Sequence, residues 1–281
     1  MNYSETELKN EIEEIENDII RETFKKFLLP KYKNLRLYLG TIGDIRSNSG
    51  LGSSSAFTCA LILGINHFIH DKALTPIQIA QEACKLELDD LKKEIGIQDQ
   101  YASALGNIRK NEILKNGTVV SEVINVGPKS RKAINSCLLL VDTQITRNAE
   151  TISSKYASPN KKQEAAIFKL QNLAIEFGKE LPDIHPRNIP KFIASALNQS
   201  MEVKAKFDRS VVPNNIQEQY RFLIQSGCLG GKLLGAGGGG YFLMIAEPSR
   251  IEAVRKVIED SGFLVDQPKI SDTGVEKLLT C

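Results

Sequence analysis

The sequence predicts an α+β protein built from two domains. The chain has 281 residues, of which 42% are apolar, enough to bury a sizeable core and to form about two domains. Segments with apolar residues at helical spacing are interspersed with short apolar or alternating segments that are typical of strands. This mixture indicates the α+β class. We place the division at residue 133, so that the predicted domains are residues 1–133 and 134–281.

Six elements are predicted in the first half of the chain: a helix over residues 5–28, a strand over 35–39, a buried helix over 56–69, a helix over 75–94, a buried helix over 101–105 and a hairpin over 110–126. The helices show apolar residues on one face or in a long run, and the strand alternates. Thr75, Pro76 and Gln78 supply an N-cap, a residue suited to the first helical position and a capping box. An Asn-Gly pair in the hairpin is typical of a tight turn.

Six elements are predicted in the second half: a buried strand over residues 137–141, a helical region over 151–207, a helix over 216–225, a strand over 241–245, a helix over 251–260 and a strand over 263–265. Two prolines within residues 181–186 break the long helical region. The continuous apolar runs predict buried strands, and the charged segments with periodic apolar residues predict surface helices.

Charge, cysteine usage and hydropathy exclude several classes of function. Lys and Arg total 36 and Asp and Glu total 34, with no basic block that would indicate a nucleic-acid surface. The five cysteines are far apart and include no CxxC pair, which favours free thiols in a reducing compartment over a disulfide or zinc framework. No signal peptide and no apolar stretch of membrane-spanning length is present. We expect a soluble cytoplasmic protein that binds neither nucleic acid nor membranes.

The most informative feature is the segment SGLGSSSA at residues 49–56, directly before a long apolar run. A glycine-rich turn that opens onto a helix directs free backbone N–H groups and the positive end of the helix dipole at one point. That point suits a phosphate group. Serine hydroxyls there can cap the helix or reach a phosphate-bound Mg²⁺. An ordinary serine-capped helix after a glycine turn explains the same residues equally well.

A second glycine-rich segment, GGKLLGAGGGG, occupies residues 230–240. Residues 235–240 match the GxGxxG pattern of dinucleotide-binding proteins, but that motif opens a helix, whereas a predicted strand follows here. Four successive glycines indicate instead a backbone so close to another group that no Cβ atom fits. A flexible loop is the alternative.

Two carboxylates lie between the glycine-rich segments. Glu87 shares a helical stripe with Ala80, Ala83 and Cys84, so its carboxylate is expected to be buried and to need a partner such as a metal ion. Asp99 follows a glycine turn and precedes another predicted buried helix. It either caps that helix or accepts a proton from a substrate hydroxyl.

Taken in order, these motifs resemble the GHMP kinases, a family of small-molecule kinases that includes galactokinase, homoserine kinase and mevalonate kinase. The resemblance rests on SGLGSSSA, a helical glutamate, GIQDQ and GGKLLGAGGGG, and it extends over essentially the whole chain. The segments YSETE, IIRETFKK, QDQYASALG and GCLGGKLLGAGGGGYFL are closest to the D-glycero-D-manno-heptose 7-phosphate kinase branch. The resemblance implies an N-terminal domain like domain 2 of ribosomal protein S5 and a ferredoxin-like C-terminal domain.

The resemblance also implies a role for each motif. The implied ATP-binding residues are Ser49, Gly50, Leu51, Gly52, Ser53, Ser54, Ser55, Gly235, Gly237 and Gly238. Ser54, or Ser53 in its place, would hold Mg²⁺ together with Glu87, and Asp99 would orient and deprotonate the acceptor hydroxyl. In the heptose kinase branch the acceptor is the anomeric hydroxyl of a heptose 7-phosphate. The implied partners are therefore ATP, Mg²⁺ and a sugar phosphate, and a homodimer is an open alternative.

The resemblance is incomplete at the N-terminus. The family begins with a strand and a motif rich in Gly, Arg and Asp that lines the sugar site, and YSETE normally follows those early strands. Here YSETE starts at Tyr3, so the first domain is expected to lack the early strands and the sugar-site motif. Three explanations stay open: a misplaced start codon, a split or decaying gene, or a working protein that another chain completes. Two classes of function stay open. The first is an ATP-dependent kinase that acts on a sugar phosphate or, alternatively, on galactose or fucose. The second is a catalytically silent protein that binds a nucleotide or a partner.

Overall fold

Helices outnumber strands in the described part of the first half of the chain, and a four-stranded sheet organises the second half. The computed structural model describes residues 7–32, 35–43, 45, 49–69, 73–145 and 159–277. The chain divides into two units, residues 1–47 with 52–121 and 271–281, and residues 48–51 with 122–270. Within the described ranges every helix is too short or too polar to span a lipid bilayer. The division at residue 133 stays a prediction.

The predicted long helix over residues 5–28 is wrong. Its first two residues lie outside the described part of the chain. The remainder forms a 3-10 turn at Ile12–Glu14, a short helix α1 at Asp18–Thr23 and a π-helical turn at Phe24–Leu28. The Asn17 side chain caps α1 by accepting the Ile20 N–H. The Glu7 carboxylate accepts the backbone N–H of Glu16 at 2.7 Å, which holds the preceding segment in a non-helical turn.

The predicted strand over residues 35–39 is also wrong, because residues 35–43 contain neither helix nor strand. An alternating pattern becomes a strand only where a neighbouring strand completes its hydrogen bonds. Among the described residues no strand pairs with this segment. Apolar side chains such as Tyr38 and Ile42 are therefore almost fully exposed, at 92% and 93%.

Three helices form the centre of the first unit: α2 (Ser53–Phe68), α3 (Pro76–Cys84) and α4 (Gln98–Leu105). The α3 helix starts with the predicted capping box between Thr75 and Gln78. A π-helical turn at Lys85–Asp90 continues it. Apolar side chains from all three helices meet in one buried core that includes Ile62, Ile79 and Tyr101.

The predicted hairpin is confirmed, with strands β1 (Arg109–Ile113) and β2 (Val119–Val123) paired in a two-stranded sheet. Gly117 in the connecting turn has a φ of 81°, which the Asn-Gly pair allows. A helix that the sequence interpretation missed follows, α5 (Pro128–Asn135). Its sequence PKSRKAIN is mostly polar, so it lacks the apolar stripe that identifies a helix.

The sheet of the second unit is antiparallel and has the order β4-β5-β3-β6. Its strands are β3 (Leu138–Asp142), β4 (Gly230–Leu233), β5 (Tyr241–Ile245) and β6 (Val265–Asp266). The predicted strands over residues 137–141 and 241–245 are confirmed, and the last strand begins two residues later than predicted. The sequence interpretation missed β4, because its glycines do not favour a strand and only its pairing with β5 makes it extended.

Besides α5, the described part of the second unit contains four helices: α6 (Lys161–Glu180), α7 (Ile189–Phe207), α8 (Asn214–Gln225) and α9 (Ile251–Asp260). The predicted break between α6 and α7 occurs at two 3-10 turns, each of which contains a proline. The helical prediction for residues 151–158 lies outside the described residues. Buried side chains of the sheet and helices, among them Phe242, Leu223 and Ile258, form the core of this unit.

Replacing Phe242 by alanine is expected to lower the free energy of unfolding by about 3–5 kcal/mol, because it removes a fully buried ring from this core. Urea denaturation measures the change. Phe168→Ala is the matched control, since that ring is 62% exposed and its loss should cost less than about 0.5 kcal/mol. Equal losses in the two variants would contradict the position of the core.

Candidate active site

The turn before α2 leaves the start of that helix open. Gly50 and Gly52 have φ values of 78° and 72°, which residues with a side chain rarely adopt. Gly52 is the N-cap residue and has no side chain to accept a hydrogen bond from the first turn of the helix. The first N–H groups of a helix have no partner within the helix, and with the helix dipole they favour an anion.

A buried carboxylate lies beside the first turn of α2. Glu87, in the π-helical turn after α3, is fully buried. Its Oε1 atom accepts the Ser54 hydroxyl at 2.5 Å, and its Oε2 atom accepts the Ser55 hydroxyl at 3.0 Å and the Gln100 side-chain amide at 2.6 Å. These donors compensate for the loss of water around the charge. The structure thus brings the two predicted metal ligands, Ser54 and Glu87, together.

Asp99 lies in the first turn of α4 and against the glycine turn of α2. A Cβ atom built on Gly52 would come within 3.2 Å of the Asp99 Cβ atom. The N-cap residue of α4 is Ile97, so the structure does not support the alternative that Asp99 is a helix cap. Burial raises the pKa of the Asp99 carboxyl, and the negative charge of Glu87 raises that pKa further.

The second glycine-rich segment contains β4, links it to β5 and packs closely against its own unit. Gly237 and Gly240 have φ values of 118° and 94°. A Cβ atom on Gly237 would approach the Val211 carbonyl oxygen to 2.5 Å, and one on Gly240 would overlap the Ser49 carbonyl oxygen. The Gly240 N–H also donates to the Ile145 carbonyl at 3.0 Å. These contacts favour an ordered loop over the flexible loop that the sequence left open.

Two residues of α7 hold the first half of this segment, and the sequence interpretation missed both. The Lys204 ammonium donates to the carbonyl oxygen of Gly235 at 2.7 Å and to that of Leu233 at 3.3 Å. The Asn198 side-chain oxygen accepts the Gly231 N–H at 3.0 Å. In the sequence, nothing separates these polar residues from others on the surface of an amphipathic helix.

The predicted site residues fall into two groups. The first unit contains Gly52, Ser53, Ser54, Ser55, Glu87 and Asp99. The second unit contains Ser49, Gly50, Leu51, Gly235, Gly237 and Gly238. Within the first unit the sequence interpretation missed Gln100, although it adjoins Asp99 in the GIQDQ motif. It also missed Lys93, whose ammonium lies 3.4 Å from the Ser54 hydroxyl oxygen and for which the sequence carries no distinguishing signal.

Two family models match the chain. The model for the N-terminal domain of GHMP kinases matches residues 17–107, and the model for the C-terminal domain of GHMP kinases matches residues 189–262. Together they extend over more than half of the chain and include both glycine-rich segments. The chain belongs to the GHMP kinase family. The predicted family, its two-domain α+β fold and the class of ATP-dependent phosphotransferases are thereby confirmed.

Individual relatives are similar over most of the chain. A D-glycero-alpha-D-manno-heptose 7-phosphate kinase of Campylobacter jejuni is 28% identical over 240 residues, which are 83% of this chain and 68% of the relative. A galactokinase of Clostridium tetani is 23% identical over 266 residues, covering 78% of this chain and 63% of the relative. The crystal structure of a D-glycero-D-manno-heptose 1-phosphate kinase from Bacteroides thetaiotaomicron matches with a TM-score of 0.69 at 21% identity, over 92% of this chain and 73% of that one. This structural likeness supports the fold.

Gly240→Ala is expected to lower the free energy of unfolding more than Gly117→Ala does. Both glycines have positive φ values, 94° and 81°, so both alanines incur about 1–2 kcal/mol of backbone strain. Only at Gly240 would the methyl group also overlap a carbonyl oxygen, while nothing lies within 4 Å at Gly117. Urea denaturation compares the two variants, and equal losses would show that the Ser49 carbonyl does not restrict this position.

Asp99→Asn is expected to raise the midpoint temperature of thermal unfolding at neutral pH. This increase over the unmodified chain should shrink as the pH falls toward about 4. The folded-state pKa of Asp99 is raised above the usual value of about 3.9. The charged carboxylate therefore destabilises the folded protein above that raised pKa, and the destabilisation disappears below the unfolded-state pKa. The neutral amide has no such dependence. Melting curves across this pH range provide the test, and a gain independent of pH would contradict the shift.

Proposed function

We propose that the chain phosphorylates the anomeric hydroxyl of a sugar phosphate, with ATP as the donor. The proposed acceptor is D-glycero-D-manno-heptose 7-phosphate, and the product is its 1,7-bisphosphate. The arrangement within the first unit carries this proposal: the Glu87 carboxylate contacts hydroxyls at the start of α2, and Asp99 lies against the glycine turn of the same helix. This arrangement combines a cation ligand, an anion-binding helix end and a base.

The start of α2 is the proposed binding site for the phosphates of ATP. Phosphoryl transfer depends mainly on charge neutralisation and on alignment of the reacting atoms. The N–H groups of residues 52–55 and the Ser53 hydroxyl offer donors for phosphate oxygens without adding a flexible charged side chain, while the Ser54 and Ser55 hydroxyls donate to Glu87. In this proposal Ser49, Gly50 and Leu51, with the glycines of residues 235–238, complete the ATP-binding set.

Ser54 and Glu87 would hold Mg²⁺ through one hydroxyl and one carboxylate. Both ligands are oxygens, which this cation prefers. Among the described residues no group of three or more His, Cys, Asp or Glu side chains is placed to hold a metal ion. A small protein ligand set suits Mg²⁺, which usually takes one or two carboxylates and completes its coordination with waters and substrate phosphates. When bound there, it would neutralise negative charge on the phosphate oxygens.

Asp99 is the proposed general base. Its carboxylate accepts the proton of the anomeric hydroxyl while that oxygen forms a bond to the γ-phosphorus of ATP. The bond between this phosphorus and the β,γ-bridging oxygen breaks, and ADP leaves with the bond's electron pair. A raised pKa strengthens a carboxylate as a proton acceptor and brings it closer to the working pH.

The choice of acceptor rests on the heptose 7-phosphate kinase of Campylobacter jejuni, whose match combines higher identity and higher coverage than that of the galactokinase. Galactose or fucose is the alternative acceptor within the same class of enzyme. A cytoplasmic location and a homodimer remain predictions of the sequence.

The chain mixed with Mg-ATP and D-glycero-D-manno-heptose 7-phosphate is expected to release ADP and to form the 1,7-bisphosphate. A coupled ADP assay and phosphorus NMR of the product measure both. Asp99→Ala should lower kcat by a factor of about 100 or more, because it removes the base. Asp89→Asn is the matched control, since this nearby carboxylate is exposed and should not affect kcat.

Other results would change the proposal in defined ways. ATP binding without transfer to heptose 7-phosphate, galactose or fucose would support a catalytically silent nucleotide-binding protein. Faster transfer to galactose or fucose would replace the acceptor. A loss of only a few-fold in Asp99→Ala would leave Asp99 with a positioning role.

A further inference from the structure

A lysine ammonium lies beside the two proposed metal ligands. The Lys93 Nζ atom is 3.4 Å from the Ser54 hydroxyl oxygen and 3.8 Å from the Glu87 Oε1 atom. It is also 3.9 Å from an Asp18 carboxylate oxygen. The Lys93 side chain is only 16% exposed. This cation is therefore held near the first turn of α2 rather than extended into solvent.

The backbone directs Lys93 back toward Glu87. Lys92 has a φ of 54°, in the left-handed region, and it follows the π-helical turn that contains Glu87. The Lys93 N–H donates to the Glu87 carbonyl oxygen at 2.9 Å. The reversal after the π-helical turn therefore fixes the origin of the lysine side chain next to the carboxylate. Unusual backbone of this kind often marks functional positions.

Glu87 needs a positive charge as well as hydrogen bonds. Its three hydrogen-bond donors, Ser54, Ser55 and Gln100, are neutral. They satisfy its oxygen atoms but leave one negative charge in a fully buried position, which is unfavourable without an opposite charge. Among the described residues Lys93 is the cationic side chain within ion-pair distance of Glu87.

Lys93 and a divalent cation would compete for the same place. The ammonium contacts the Ser54 hydroxyl and the Glu87 Oε1 atom, which are the oxygens assigned to Mg²⁺ above. Two cations within about 4 Å of each other repel strongly in a partly buried site. Occupation by the metal therefore requires the ammonium to leave, and departure of the metal allows it to return.

We propose that Lys93 is a tethered counter-ion that occupies the Ser54–Glu87 position until a divalent metal ion displaces it. This inference rests on the proposed function, because it concerns the same ligands. Lys93 stabilises the metal-free protein and weakens its affinity for the metal alone. The metal then binds tightly only when nucleotide phosphates supply further ligands.

Titration of the full chain with Mn²⁺ alone tests the exchange, with free Mn²⁺ measured by electron paramagnetic resonance. Mn²⁺ replaces Mg²⁺ here because it also takes oxygen ligands. Lys93→Met should bind Mn²⁺ about tenfold more tightly than the unmodified chain, since one opposing positive charge is gone. Lys93→Arg should bind as the unmodified chain does. Lys85→Met is the matched control, because Lys85 pairs with Glu82 and not with Glu87, and it should have no effect.

Thermal unfolding in EDTA tests the counter-ion role without a metal. Lys93→Met should lower the melting temperature of the unmodified chain by several degrees, and it should have little effect when Glu87 is already replaced by Gln. Equal decreases in the two backgrounds would overturn the counter-ion role, because they would show that the lysine acts through other contacts. Equal or weaker Mn²⁺ binding by Lys93→Met, including binding that is undetectable in both proteins, would overturn the exchange.

Neither the Mn²⁺ titration nor the thermal unfolding uses ATP or a sugar. The role of Lys93 and the proposed kinase activity are therefore tested independently of each other. Tighter Mn²⁺ binding by Lys93→Met in a chain that phosphorylates no sugar would leave the exchange standing and reject the kinase activity. If the chain phosphorylates heptose 7-phosphate but its Mn²⁺ affinity does not change in Lys93→Met, the kinase activity stands and the exchange is rejected.

Discussion

A carboxylate removed from water must receive its hydrogen bonds from the protein, and in the first unit this requirement falls on Glu87. Its donors come from the first turn of α2 and from α4. Satisfying this one charge therefore fixes two helix starts against the π-helical turn after α3. Gly52 lies two residues before Ser54, and Asp99 lies one residue before Gln100, so both are close in the chain to the donors of Glu87. The candidate catalytic group is thus positioned by the same contacts that make a buried charge tolerable.

The second unit obeys a different constraint, the close approach of one backbone segment to others. The segment between β4 and β5 passes so near to Val211 and Ser49 that glycine is required at two positions with positive φ. Lys204 binds two carbonyl oxygens at the start of this segment. A loop held in this way loses little further conformational freedom when it meets a ligand. Its order therefore agrees with the binding role that the sequence motif suggests.

The sequence was most informative where a single residue has few structural alternatives. The capping box at Thr75, the Asn-Gly turn and the range of α9 follow from local chemistry, and all three are confirmed. The strand over residues 35–39 failed because strand formation depends on a partner that the alternating pattern cannot reveal. The β4 strand was missed for the converse reason, since β5 makes a glycine-rich segment extended. Lys93 could not be found from the sequence, because a left-handed residue at Lys92 directs it.

Glu87 and Asp99 differ in how the fold treats their charges, and the difference bears on their roles. Glu87 is compensated by three donors and a lysine, so its burial is explained by structure as well as by chemistry. For Asp99, burial and the charge of Glu87 both act against ionisation. A fold selected for stability alone would place a neutral residue there. A carboxylate in a position that opposes its charge is what the proposed role of Asp99 as a general base predicts.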